Sequence, residues 1–98
     1  MSQYSIIIPT FNEKKNIPIL INKIYKLIKN RNYEIIVVDD NSNDGSIPVF
    51  HDIKKKYKRF YFYIRKAKKR DLSKSIIFGV QKSKFNNLII MDGDLHHN

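Results

Sequence analysis

Residues 35–38 read Ile-Ile-Val-Val, four β-branched side chains in a row. Successive side chains of a strand point to opposite faces, so this run needs apolar cover on both sides of a sheet. Residues 33–38 (YEIIVV) therefore predict a buried strand, ending in Asp39 and Asp40. Three more short apolar runs share this character: residues 4–8, stopped by Pro9, residues 60–64 (FYFYI) and residues 88–91 (LIIM).

The segments between these runs carry helical periodicity. Ile17, Leu20, Ile21, Ile24, Leu27 and Ile28 fall on one face of a helix that Asn16 is placed to cap and whose first turn tolerates Pro18. A second helix is predicted over 46–58, with Val49, Phe50, Ile53 and Tyr57 inward and Pro48 in its first turn. A third is predicted over 72–84, with Leu72, Ile76 and Val80 on one side. The order βαβαβαβ predicts an α/β fold, a Rossmann-like parallel sheet with right-handed crossovers.

Length and charge bound the possibilities further. A chain of 98 residues holds one domain. It contains no Cys, which excludes a disulfide framework and thiolate metal sites. The N-terminus lacks the basic region of a signal peptide, and no apolar stretch approaches the ~20 residues that cross a bilayer. The net charge of +10 sits mainly in KKKYKR (54–59) and RKAKKR (65–70). Such runs are usually solvated surface, but they also suit anionic partners.

In parallel α/β sheets ligands bind beyond the carboxyl ends of the strands. Three polar clusters are predicted there: PTFNE after the first strand, DDNSNDG after the second and DGD after the fourth. Asp92 and Asp94 flank Gly93, whose missing side chain lets a backbone turn approach a ligand closely. Carboxylates so spaced can share a hard cation such as Mg²⁺, which fills its shell with water and phosphate oxygens. DDNSNDG opens like a calcium loop, but the bidentate Glu that loop requires is replaced by His51. An acidic pair of phospho-receiver type would follow the first strand, not the second. Neither a Walker loop nor a dinucleotide glycine fingerprint is present. No Ser-His-Asp or Cys-His arrangement is supported.

Taken in order, YSIIIPTFNEKKNIPIL, YEIIVVDDNSNDGS, RDLSKSIIFGV and IIMDGDLHHN resemble the N-terminal part of family 2 glycosyltransferases. Within that family the branch they resemble is that of dolichyl- or polyprenyl-phosphate sugar (mannose) synthases. The resemblance implies the nucleotide-sugar-binding half of a glycosyltransferase A-type fold, with residues 1–98 stopping after the DxD motif. It implies an inverting, metal-dependent transfer from a nucleoside-diphosphate sugar, a GDP- or UDP-sugar, to a polyprenyl or dolichyl phosphate. Pro9, Phe11, Glu13, Val38, Asp40, Asp92, Gly93 and Asp94 would then bind the donor nucleotide. Asp92 and Asp94, joined by His96, would hold Mg²⁺ or Mn²⁺.

Three departures from the family pattern stand out. Phe11 replaces a usual Tyr, and His96 a frequent Gln. Asp71 stands where Gly precedes the Leu-Ser pair, and a non-Gly residue there is disfavoured if φ must be positive. No residue matches the general base, so the expectation is a chain carrying only the donor half and not active alone. Its partners would include a missing C-terminal half and a lipid-phosphate acceptor at a membrane surface. The location implied is cytoplasmic, peripheral on the cytoplasmic face of a membrane. The alternatives are an inactive remnant or a basic module for anionic membrane or nucleic acid, with nucleic acid disfavoured by the lack of any groove-reading motif.

Overall fold

The computed structural model describes residues 3–28, 32–66 and 68–93. Its elements are β1 (Gln3–Thr10), α1 (Asn16–Leu27), β2 (Asn32–Asp39), α2 (Ser46–Lys56), β3 (Phe60–Ile64), α3 (Leu72–Lys82) and β4 (Asn87–Ile90). The strands form one parallel sheet in the order β3-β2-β1-β4. This is the predicted βαβαβαβ architecture, and the helix ends fall two residues earlier than expected for α2 and α3.

Strand alternation divides the core between the faces. Ile6, Ile8, Ile35 and Val37 pack with Ile17, Ile21 and Ile24 of α1 and Phe50 and Ile53 of α2. On the opposite face Ile7, Ile36 and Val38 pack with Phe78 of α3. The Ile-Ile-Val-Val run of β2 thus feeds both layers in turn, as an apolar strand covered on both faces must.

β1 runs through Pro9 to Thr10, two residues beyond the predicted stop. Ile7 O accepts from Met91 N, so the backbone groups of Ile7 face β4. Pro9 has the same in-plane orientation, but β4 pairs only as far as Ile7, so its missing N–H interrupts no ladder bond. Asn16 is the first residue of α1 and not its cap: the residue before the helix, Lys15, makes no side-chain cap bond. The Glu13 carbonyl instead accepts from the N–H groups of Asn16 and Ile17.

The inward face of α3 differs most from expectation. Ser75 and Gly79 are its buried residues, whereas Leu72 and Val80 are 52% and 38% exposed. The helix seats closely because Gly79 has no side chain: a Cβ there would lie 2.5 Å from Ile7 Cγ2 and 3.2 Å from Val38 Cγ2. Leu27, expected inward on α1, is 81% exposed. At the amino ends of the strands, the buried Glu34 carboxylate accepts from Ser5 Oγ and Lys84 N, and Ser5 Oγ accepts from Phe85 N. These bonds tie the α3–β4 connector to the centre of the sheet.

Candidate functional site

The carboxyl ends of β1, β2 and β4 bring the polar clusters together. Asp39 lies at the end of β2, fully buried, and its carboxylate accepts from Thr10 Oγ1 at 2.7 Å and from Ser42 N and Oγ at 2.7 and 2.6 Å. Ser42 Oγ in turn accepts from Asn12 N at 2.8 Å, and Asn12 Oδ1 accepts from Asn43 N. Lys14 N donates to Asp44 Oδ2. The loops after β1 and β2 are therefore laced into one rigid rim. Asn12 and Asn41 hold left-handed φ values of 54° and 62°, which Asn tolerates better than most residues. Gly45 does so at 88° just before α2, where Asp44 accepts from the N–H and hydroxyl of Ser46.

Asp40 anchors the opposite side of this rim. Arg65 Nε donates to its Oδ1 at 2.8 Å, Ser75 Oγ to the same oxygen at 2.6 Å, and Asp71 N to Oδ2 at 2.8 Å. Burial alone would raise its pKa; the bonds from Ser75, Arg65 and Asp71 outweigh that and hold it below the ordinary carboxylate value. Asp44 is lowered likewise, with burial opposed by Ser46 and by backbone N–H groups. Asp71 has an extended φ of −144° and caps α3 by accepting from Lys74 N, so an Asp here meets no backbone strain. A cavity of about 430 Å³ opens beside it, lined by Arg65, Lys68, Lys69, Asp71 and Lys74. Arg65 Nη2, buried nearby, has no hydrogen-bond partner.

The residues singled out from sequence occupy distinct positions on this rim. Pro9 ends β1 buried, Phe11 is half-buried with the Arg70 guanidinium 5.5 Å from its ring centre, and Glu13 sits in the loop before α1. Val38 is wholly buried under α3, so its side chain forms floor and not wall. Met91 extends the β4 pairing by one bond to Ile7 O, and the exposed Asp92 follows it at the carboxyl edge. Gly93 is buried against the tip of β1: a Cβ there would lie 3.1 Å from Thr10 Cγ2 and 3.3 Å from Ile17 Cδ1. That close fit seats the turn carrying Asp92 beside Pro9 and Thr10. Asp94 and His96 lie outside the described residues.

Among the described residues no three acidic, His or Cys side chains converge as a ready-made metal cage. Asp92 at an open strand end suits the sparser demand of Mg²⁺, which takes one or two carboxylates and completes its shell with water and phosphate. Sequence reasoning placed Thr10, Asn12, Asp39 and Ser42 in the polar clusters after β1 and β2 without assigning their partners, and gave no site role to Arg65 or Ser75. The Asp39–Ser42 bonds span three positions, but the bonds of Thr10, Asn12, Arg65 and Ser75 reach partners 25 to 35 positions away, which no local pattern reveals.

A parallel sheet with helices on both faces and a polar rim at its carboxyl edge defines a Rossmann-like α/β domain, the class in which ligands bind beyond the strands' carboxyl ends. Residues 5–98 match the family model described as glycosyl transferase family 2, and the chain belongs to that family. It is 37% identical over 93 residues to a dolichol-phosphate mannosyltransferase of Pyrococcus furiosus, covering 95% of this chain and 26% of that one. Enzymes of the same name from Saccharomyces cerevisiae and Mycosarcoma maydis are 32% and 30% identical, with 97% and 95% of this chain covered and 36% and 33% of theirs. The chain thus spans about a quarter to a third of the length of these curated relatives. Among solved structures, S. aureus TarS superposes with a TM-score of 0.79 at 22% identity over 94% of this chain and 16% of TarS, a likeness of fold.

Proposed function

We propose that this chain carries the donor side of a sugar transfer, gripping a nucleoside-diphosphate sugar at the carboxyl edge of its sheet. The observation that supports this most is the seating of Gly93 against Thr10 and Pro9, which sets Asp92 beside the rim built by the β1 and β2 loops. In this reading Pro9, Phe11 and Glu13 line the nucleotide site, with Val38 and Asp40 beneath the base and ribose. Asp92, Gly93 and Asp94 face the diphosphate, and Asp92, Asp94 and His96 hold Mg²⁺ or Mn²⁺. A divalent ion held there would neutralise charge on the diphosphate leaving group.

The Asp40 carboxylate already accepts three hydrogen bonds from the chain, so its role is to hold Arg65 and the start of α3 in place. The lysines around the cavity at Asp71 add positive potential on the side from which a polyanionic donor approaches. The acceptor is proposed to be a polyprenyl or dolichyl phosphate, by analogy with the mannosyltransferases above, reached from the surface of a membrane. Among the described residues no helix is long and apolar enough to cross one. Transfer with inversion needs a base at the acceptor hydroxyl or phosphate. That group is proposed to come from beyond the matched quarter to third of the relatives' length.

Calorimetry with GDP, UDP and their sugars tests the donor reading. Binding should require Mn²⁺ or Mg²⁺, and Asp92→Asn should weaken it about tenfold or more, the loss of one charge-assisted contact. Metal-independent binding, or no heat from folded protein with any donor, would overturn it.

A further inference from the structure

Two cavities meet at the carboxyl end of β3. One, of about 490 Å³, lies between that end and α3 and is lined by Arg65, Lys66, Lys74 and the exposed Ile77, among others. The other, of about 430 Å³, is the one beside Asp71, which Lys68 and Lys69 also line. Arg65 and Lys74 border both, which joins them into one basic groove.

The charge of this groove is not balanced from within. Arg65 is paired with Asp40, and the Asp71 carboxylate caps α3 through Lys74 N. Setting Asp71 against one of Lys66, Lys68, Lys69 and Lys74 still leaves three lysines with no counter-charge in the groove lining. Arg65 also has donor capacity left over. Its Nε is taken by Asp40, while its buried Nη2 has no hydrogen-bond partner. Buried polar atoms are nearly always satisfied, so an orphaned guanidinium nitrogen calls for an acceptor drawn in beside it.

We propose that this groove binds a phosphate group other than the diphosphate of the sugar donor. A phosphate dianion brings three acceptor oxygens and enough charge to offset most of the excess, where a lone carboxylate brings about half as much. The planar fork of one arginine and the point charges of several lysines are the donor set that suits it. Position separates this site from the donor grip. Arg65 N bonds to Asp39 O, so the groove opens beside β2 at the β3 end of the order β3-β2-β1-β4, whereas Asp92 follows β4. Three inter-strand spacings of about 4.8 Å put the two roughly 14 Å apart. A diphosphate held at Asp92 therefore does not fill the groove, although the same lysines steer it from a distance. Two sources supply the ligand: a soluble phosphate, or a phospholipid headgroup beside which the 56% exposed Ile77 would meet the bilayer.

Titrating isotope-labelled protein with inorganic phosphate, in EDTA and at constant ionic strength, tests the site through amide NMR shifts. The amides of Lys66, Lys69 and Lys74 should shift and saturate. Lys69→Ala and Lys74→Ala, at exposed positions, should each weaken binding about tenfold, and Lys55→Ala, which removes the same charge from α2, should leave it unchanged. Cosedimentation with phosphatidylcholine vesicles carrying phosphatidic acid separates the sources. Capture that both groove variants lose marks a lipid headgroup; saturable phosphate binding without capture marks a soluble ligand. Binding in neither assay by folded protein, as when an acidic side chain of the same chain already fills the groove, would overturn the proposal. So would binding indifferent to both groove variants, equal weakening by Lys55→Ala as general attraction to a +10 chain produces, or displacement of the phosphate by GDP or UDP with Mn²⁺. Donor binding should require a divalent ion and this binding should not, so the two readings fail separately.

Discussion

Asp40 shows how far one residue's role can be read ahead of a structure. Its place after a buried strand was legible, because apolar β-branched residues predict the strand and the strand's end fixes the edge. Its partners were not: Arg65, Asp71 and Ser75 lie 25 to 35 positions onward and meet it only because α3 packs beside β2. The same packing resolves Asp71, whose extended backbone and capping bond make an unusual residue locally comfortable. Replacing Asp40 by Asn leaves the Arg65 guanidinium buried without its counter-charge, and breaking a buried pair in this way costs about 3 kcal/mol. Urea unfolding of Asp40→Asn at neutral pH should show that loss. Because the folded pKa of Asp40 is depressed, its contribution is present above the unfolded value of about 3.9 and fades as pH falls below it. The acid limb of the wild-type stability curve should therefore be steeper than that of Asp40→Asn. Asp44, lowered in the same direction, contributes to the slope of both proteins.

Among the elements, strands were easier to read than helix orientation. A run such as Ile-Ile-Val-Val has no second interpretation once both faces must be covered. α3 offers two candidate faces, the apolar stripe Leu72–Ile76–Val80 and the small-residue face Ser75–Gly79. Sequence periodicity favours the first, and the structure uses the second against the sheet. Close approach decides it: the Gly79 side of the helix reaches Ile7 and Val38, and Ser75 reaches Asp40. Gly79→Ala separates the two influences. Ala is favoured over Gly within a helix by about 1 kcal/mol. The new methyl would sit 2.5 Å from Ile7 Cγ2 in a packed layer. Overpacking typically costs about 1–3 kcal/mol, so the substitution should destabilise by about 1 kcal/mol net. A gain in the urea midpoint would mean that α3 can shift away from the sheet without penalty.

For the whole molecule, the unequal charge inventory has a consequence that no single contact displays. The chain carries 19 Lys and Arg against 9 Asp and Glu. Several of those carboxylates are already committed inside the fold: Glu34 and Asp39 are buried in hydrogen-bond networks and Asp40 holds Arg65. Most lysines therefore face water with few acidic neighbours, and folding draws them closer together than they are in the open chain. Self-repulsion of this kind opposes the compact state and is screened over about 8 Å at physiological ionic strength. The buried Asp40–Arg65 pair is screened far less, so added salt relieves the repulsion while leaving that pair largely intact. Thermal melts in rising NaCl should show a midpoint that climbs from low salt and then levels off. A midpoint that falls with NaCl would mean that exposed ion pairs, and not net repulsion, dominate the electrostatics of this domain.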